Sequence, residues 1–154
     1  TDTYMMSTII FQNRAGDIPL AADIGSSLNE RVIGVDGATF VSGGGAAGEV
    51  ELQTSDDAEL EMKTGDWICL VGRAERRIGS DDYYWGDLFK WYRIIAMDEI
   101  YEPTSGDYRR RLTINGPDWN SQSAPSEAIY MEDVVGVYER KVRLETGSPW
   151  TWTP

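Results

Sequence analysis

From Gly48 onward, apolar and polar side chains alternate with the two-residue period of a β-strand laid on a core. Val50 and Leu52 alternate with Glu49 and Glu51, and Ala58, Leu60 and Met62 alternate with Glu59 and Glu61, so both segments read as half-buried strands. Asp66 to Gly72 is apolar on both parities, with Trp67, Cys69 and Val71 on one and Ile68 and Leu70 on the other. That is the pattern of a central strand. Phe89 to Asp98 is the strongest strand in the chain. There Tyr92, Ile94 and Ala96 oppose Trp91, Arg93 and Ile95, too dense in aromatic and β-branched side chains for either face to be fully solvated.

Turn chemistry separates these runs. Glu102 to Asp107, containing Pro103, Ser105 and Gly106, predicts a hairpin into Tyr108 to Ile114, where Leu112 and Ile114 share a face. Asn115-Gly116-Pro117-Asp118 and a polar loop through Pro125 follow. In Asp133 to Leu144 the residues Val134, Tyr138, Val142 and Leu144 share one parity and Glu139, Lys141 and Arg143 the other, an amphipathic strand with a basic outer face. The best helical window, Leu20 to Glu30, is short and weakened by Gly25, Ser26 and Ser27. Gly43 to Gly48 is a small-residue stretch that reads as a flexible connection.

The expectation is an all-β, mostly antiparallel small barrel or sandwich with extended N- and C-terminal segments and at most one short helix. At 154 residues one core is the default: an extended N-terminal segment over 1–25, a single β domain over 26–148 and an aromatic C-terminal tail over 149–154. Gly65-Asp66-Trp67, the hairpin that follows and Trp91-Tyr92-Arg93-Ile94 resemble the entry of SH3-like and other small β-barrels. The likeness is one of strand grammar, not of family. The chain begins at Thr1, as a processed product or a piece of a longer polypeptide does. No run approaches the roughly 20 apolar residues of a membrane-spanning helix, and no span is expected.

Charge and composition narrow the chemistry. The net charge is −12, with no histidine and one cysteine. These counts exclude an internal disulfide, histidine-ligated metals and every histidine base, and they argue against nucleic acid as a partner. Cys69, between Ile68 and Leu70, reads as a packed core residue rather than a nucleophile. No Gly-x-Ser-x-Gly motif or phosphate loop occurs. Paired carboxylates remain a catalytic option, and calcium at Asp81, Asp82 and Asp87 lacks the spacing of a calcium loop. No enzyme activity, cofactor or metal is therefore expected.

The most distinctive segment is Ser80 to Asp87, which reads as a loop between strands. Its Tyr83, Tyr84 and Trp85, with Asp81, Asp82 and Asp87, suit a glycan site, a subunit interface or a cap over the core. Residues 1–66 hold 12 acids against Arg14, Arg31 and Lys63, whereas Arg73, Arg76 and Arg77, then Arg109, Arg110 and Arg111, form basic clusters further along. Those arginines are expected to pair with acids of the N-terminal half, within the chain or in a neighbouring copy. Tyr4 to Phe11 is apolar and β-prone, either an ordinary first strand or a strand added to an adjacent subunit. Trp150 and Trp152 in the tail must pack on their own core or on a partner. The chain accordingly reads as a non-enzymatic structural subunit of a repeated assembly, in a virion or phage particle or an extracellular filament or surface layer. Its partners are then other copies or other subunits. The second reading is a carbohydrate-binding module using the aromatic-acidic segment.

Overall fold

The computed structural model describes residues 2–12, 30–40, 47–78, 82–119 and 123–144. Nine strands account for most of them: β1 (Asp2–Phe11), β2 (Glu30–Phe40), β3 (Ala47–Thr54), β4 (Trp67–Ile78), β5 (Asp82–Met97), β6 (Tyr101–Thr104), β7 (Asp107–Asn115), β8 (Glu127–Met131) and β9 (Val134–Leu144). Every strand pairing is antiparallel. β2, β3, β7, β5, β4 and β8 pair in that order and β8 returns to β2, so the ladder runs round in a ring and the short β6 hangs on β7. Ring closure hides the backbone donors and acceptors that an open sheet would leave at its edges.

The register places inward side chains opposite one another on neighbouring strands. Ile68 faces Tyr92 on one side and Tyr130 on the other, Ile94 faces Ile114, and Val50 faces Leu112. All of these are buried. Slipping any strand by one residue would turn its apolar row to water, so burial fixes the register.

Two plugs close the barrel. At one end a 3-10 turn, Asp57–Leu60, inserts Leu60, and Met62 follows it into the core. The alternation over Ala58 to Met62 therefore arises from a turn and not from the strand it suggests. The Asp56 carboxylate accepts from the Ala58 N–H at 3.1 Å, and the Thr54 hydroxyl accepts from the Asp56 N–H at 3.3 Å, which bends the chain before a strand can continue. At the other end the Phe40 and Trp119 rings stack 5.6 Å apart, and Phe40 meets Tyr92 at 5.9 Å.

β1 and β9 form a separate two-stranded ribbon, with Asp2 opposite Leu144 and Ile9 opposite Val137. Of the two roles open to Tyr4 to Phe11, β1 takes the first: it pairs within its own chain. The ribbon lies over the outer face of β4 and β5, where Val137 and Glu139 line a cleft together with Trp67 and Trp91. That cover explains why Cys69 and Trp91, on the outward parity of the barrel, are buried.

Other expectations are corrected. Ser80 to Asp87 is not a loop as a whole: from Asp82 it belongs to β5, in register with Arg73 to Ile78 of β4. Beyond Val71, β4 pairs with β5 alone among the described residues, forming an arm. Glu30 opens β2, and the rest of the helical window lies outside the described residues, as do Asp81, Trp150 and Trp152. A bulge between Ile94 and Ala96 turns both Ile95 and Ala96 outward, breaking the parity expected for Ala96.

Candidate interaction surface on the terminal ribbon

The arginines of β7 are absorbed inside the domain. Arg109 reaches Asp36 at 2.5 Å, Asp107 at 3.1 Å and Glu51 at 3.4 Å, and Arg111 reaches Glu51 at 3.3 Å. Glu51 also accepts from the Tyr101 hydroxyl at 2.7 Å. That bond, followed by the two arginines, holds its carboxyl below the usual glutamate value against an opposing effect of burial. Arg110 donates to the carbonyls of Leu60 at 2.6 Å and Asp98 at 3.0 Å. These guanidiniums fasten strands together, and Asp36 and Glu51 are the N-terminal-half acids that two of them use.

Arg31 is a cation of a different kind. Its side chain lies inside the barrel end, with its guanidinium 4.5 Å from the centre of the Tyr130 ring. It donates to the Glu61 carbonyl and, at 3.5 Å, to that of Ala58, while Glu132 stands 4.0 Å away. The Tyr130 hydroxyl in turn donates to Asp66 at 2.6 Å. A charge buried in this way serves by satisfying the Glu61 carbonyl just past the 3-10 turn and by adding a second donor to that of Ala58, which already accepts from the Glu61 N–H.

On the arm, Arg73 is opposite Asp87, Arg76 opposite Tyr84, and Arg77 opposite Tyr83, while Trp85 is opposite Glu75. Asp82 is opposite Ile78. The expected aromatic-acidic and arginine segments thus become two strands of one hairpin. Cys69 beneath the ribbon is buried, and burial with the nearby Glu139 charge pushes its thiol up to about 12. It stays protonated at neutral pH and is a poor nucleophile. Among the described residues, no grouping of three histidine, cysteine, aspartate or glutamate side chains suits a metal.

The ribbon leaves one of its faces uncovered. Its register puts Tyr4, Met6, Thr8 and Ile10 of β1 beside Val142, Arg140, Tyr138 and Gly136 of β9 on one face. On that face Tyr138 is 66% exposed, Tyr4 and Met6 52% each and Ile10 44%, large values for side chains of this size in a paired strand. Tyr138 was expected on the buried parity with Val134, but the bulge opposite Ile10 and Phe11 changes the row and Val137 turns toward the barrel instead. Arg140, Lys141 and Arg143 flank a shallow groove of about 440 Å³ with Met6 and Val142. Arg140 was missed as part of this surface, and the run Glu139-Arg140-Lys141 was its signal in the sequence.

The outer edge of β1 has no further strand against it among the described residues. From Thr3 to Phe11 it carries no charged side chain and no proline. Edge strands are ordinarily protected by such residues, and this one is not.

Comparison with protein-family models, curated proteins and solved structures gives no match for the chain. Among the described residues no helix is long and apolar enough to cross a membrane.

A second concavity, about 350 Å³, is walled by Trp67, Trp91, Pro117 and Val137 and edged by Arg93, Asn115 and Glu139. Arg93 is tied by its Nε to the Gly65 carbonyl at 3.2 Å, which fixes one side of it. An aromatic floor with an amide, a cation and a carboxylate at the rim is chemically suited to a hydroxyl-rich ligand.

Proposed function

We propose that the protein is a non-enzymatic structural subunit of a repeated assembly, of the kind found in a virion or phage particle or in an extracellular filament or surface layer. The observation that supports it is the ribbon, with four large side chains open to water along one face and an unprotected strand edge beside them. Apolar area of that kind is stabilised by burial at about 25 cal/mol per Å², and strand addition gives the edge a partner. Self-association beyond 17.2 kDa in the micromolar range, measured by sedimentation velocity, is the expected result. A monomer at every concentration up to the solubility limit overturns the proposal.

A second reading, carbohydrate binding, is favoured by the Trp67–Trp91 cleft. Calorimetry against a glycan panel tests it, and loss of any observed binding in Trp67→Ala would place the sugar there. Absence of binding across the panel removes this reading.

A further inference from the structure

One end of the barrel exposes a concentration of carboxylates. The end plugged by the 3-10 turn gathers exposed Asp56, Asp57 and Glu61, with Asp98 and Glu99 where β5 ends. Arg110 ties these two segments through the carbonyls of Leu60 and Asp98, and exposed Lys63 lies beyond the turn. β4 and β5 run from this end to the arm. Val137 lines a cleft with Trp67, and Glu139 bears on Cys69 and Lys90, so β9 passes from the acidic end toward the arm as it runs from Val134 to Leu144. Arg140, Lys141 and Arg143 therefore lie away from these barrel-end acids of the same copy, beyond Glu139 and on the side of the Arg73–Asp87 pair. With Arg109, Arg110 and Arg111 engaged inside the domain and Arg31 buried, the β9 cations form a basic patch on a chain of net charge −12.

Resting on the assembly reading above, we infer that the basic, apolar face of the ribbon docks on the acidic barrel end of a second copy, so that copies join head to tail with one polarity. The charge distribution selects this occupant over symmetric docking of like faces. Ribbon against ribbon brings the Arg140 of both copies together, with Lys141 and Arg143 of each flanking the same groove, and acidic end against acidic end does the same for carboxylates. Unlike surfaces attract, and at long range a strongly acidic molecule is drawn to a locally basic surface of its neighbour. The contact is heterologous, and its repetition builds a chain or a ring. The docked acids neutralise the cations while Tyr4, Met6 and Tyr138 lose their water.

Two charge reversals test it, both at exposed positions: Arg140→Glu with Arg143→Glu on the ribbon, and Asp57→Lys with Glu61→Lys on the acidic end. Near-UV circular dichroism checks that each variant keeps the native fold. Each variant alone is expected to lose assembly by roughly tenfold or more in apparent Kd, read by light scattering at low salt. Mixed one to one, they are expected to recover it as an alternating co-assembly, because each mixed contact again joins opposite charges. If the Asp57→Lys, Glu61→Lys variant assembles like the wild type, the acidic end is not in the contact and the inference falls, although the assembly reading stands. Both variants failing with no recovery on mixing also overturns it. A wild-type chain that never self-associates overturns the assembly reading itself.

Discussion

Gly116, just after β7, is held where a side chain does not fit, and Gly116→Ala measures how tightly that barrel end is packed. A Cβ there would lie 2.6 Å from Tyr92 Cδ1 and 2.8 Å from the Trp91 carbonyl oxygen. Ordinary carbon contacts begin near 3.5 Å, so the overlap approaches about 1 Å. Neither neighbour yields easily: Trp91 belongs to the β4–β5 ladder, and Tyr92 is 1% exposed with its ring against Phe40. Overpacking a rigid site costs about 1–3 kcal/mol, and for a domain of this size 2 kcal/mol lowers Tm by roughly 4–8 °C. Gly116 has no positive φ, so backbone strain does not enter and the loss reports space alone. Gly37→Ala supplies the control, since nothing lies within 4 Å of its Cβ position. There a modest gain of about 0.5 kcal/mol is expected from lower unfolded-state entropy. Urea and thermal unfolding followed by circular dichroism read both. A Gly116→Ala variant melting with or above the wild type would refute the argument that this end is close-packed.

Two further outcomes follow from ionisation. With its thiol pushed from 9.0 to about 12, native Cys69 should carry about a thousandfold less thiolate than the unfolded chain at pH 8. Iodoacetamide labelling should be correspondingly slow until denaturant is added, and comparable rates in the two states would contradict its burial. Glu51 is depressed below its ordinary value of 4.5, so its pairing stabilises the fold above that pH and is lost as pH falls through the folded value. Glu51→Gln should therefore lower stability at pH 7 and flatten the decline of stability below pH 4.5. An unchanged acid limb would mean the Tyr101, Arg109 and Arg111 contacts are not formed in solution.

The all-β fold was legible wherever one strand's own sequence carries the pattern. β3, β4, β5, β7 and β9 show it, because their inward positions are Val, Leu, Ile or aromatic. β2 hides its pattern. One of its inward positions is Arg31, accommodated by the Tyr130 ring and the carbonyls of the 3-10 turn, partners a local window does not contain. Gly34, Asp36 and Gly37 then break the rest. β8 is five residues long and has little room for alternation. The pairing of Arg109 and Arg111 with Asp36 and Glu51 was open in the sequence only as one of two possibilities, since register across β3 and β7 decides it. Exposure of Tyr138 was not legible at all: it depends on which face of the ribbon meets the barrel, a choice made by packing between elements and by one bulge.

The ribbon also determines how the molecule would respond to tension. Asp2 and Leu144 are paired, so force applied at these two points separates the strands one residue pair after another instead of shearing the whole ladder at once. Among the described residues β1 shares hydrogen bonds with no barrel strand, and peeling it leaves the closed ring of β2, β3, β7, β5, β4 and β8 intact. If β9 then lifts away, Cys69 and Trp91 lose their cover while the core around Ile68 and Tyr92 keeps its own. The fold thus contains an extensible layer around a rigid one, with a thiol and an indole at the boundary to report when the outer layer has moved.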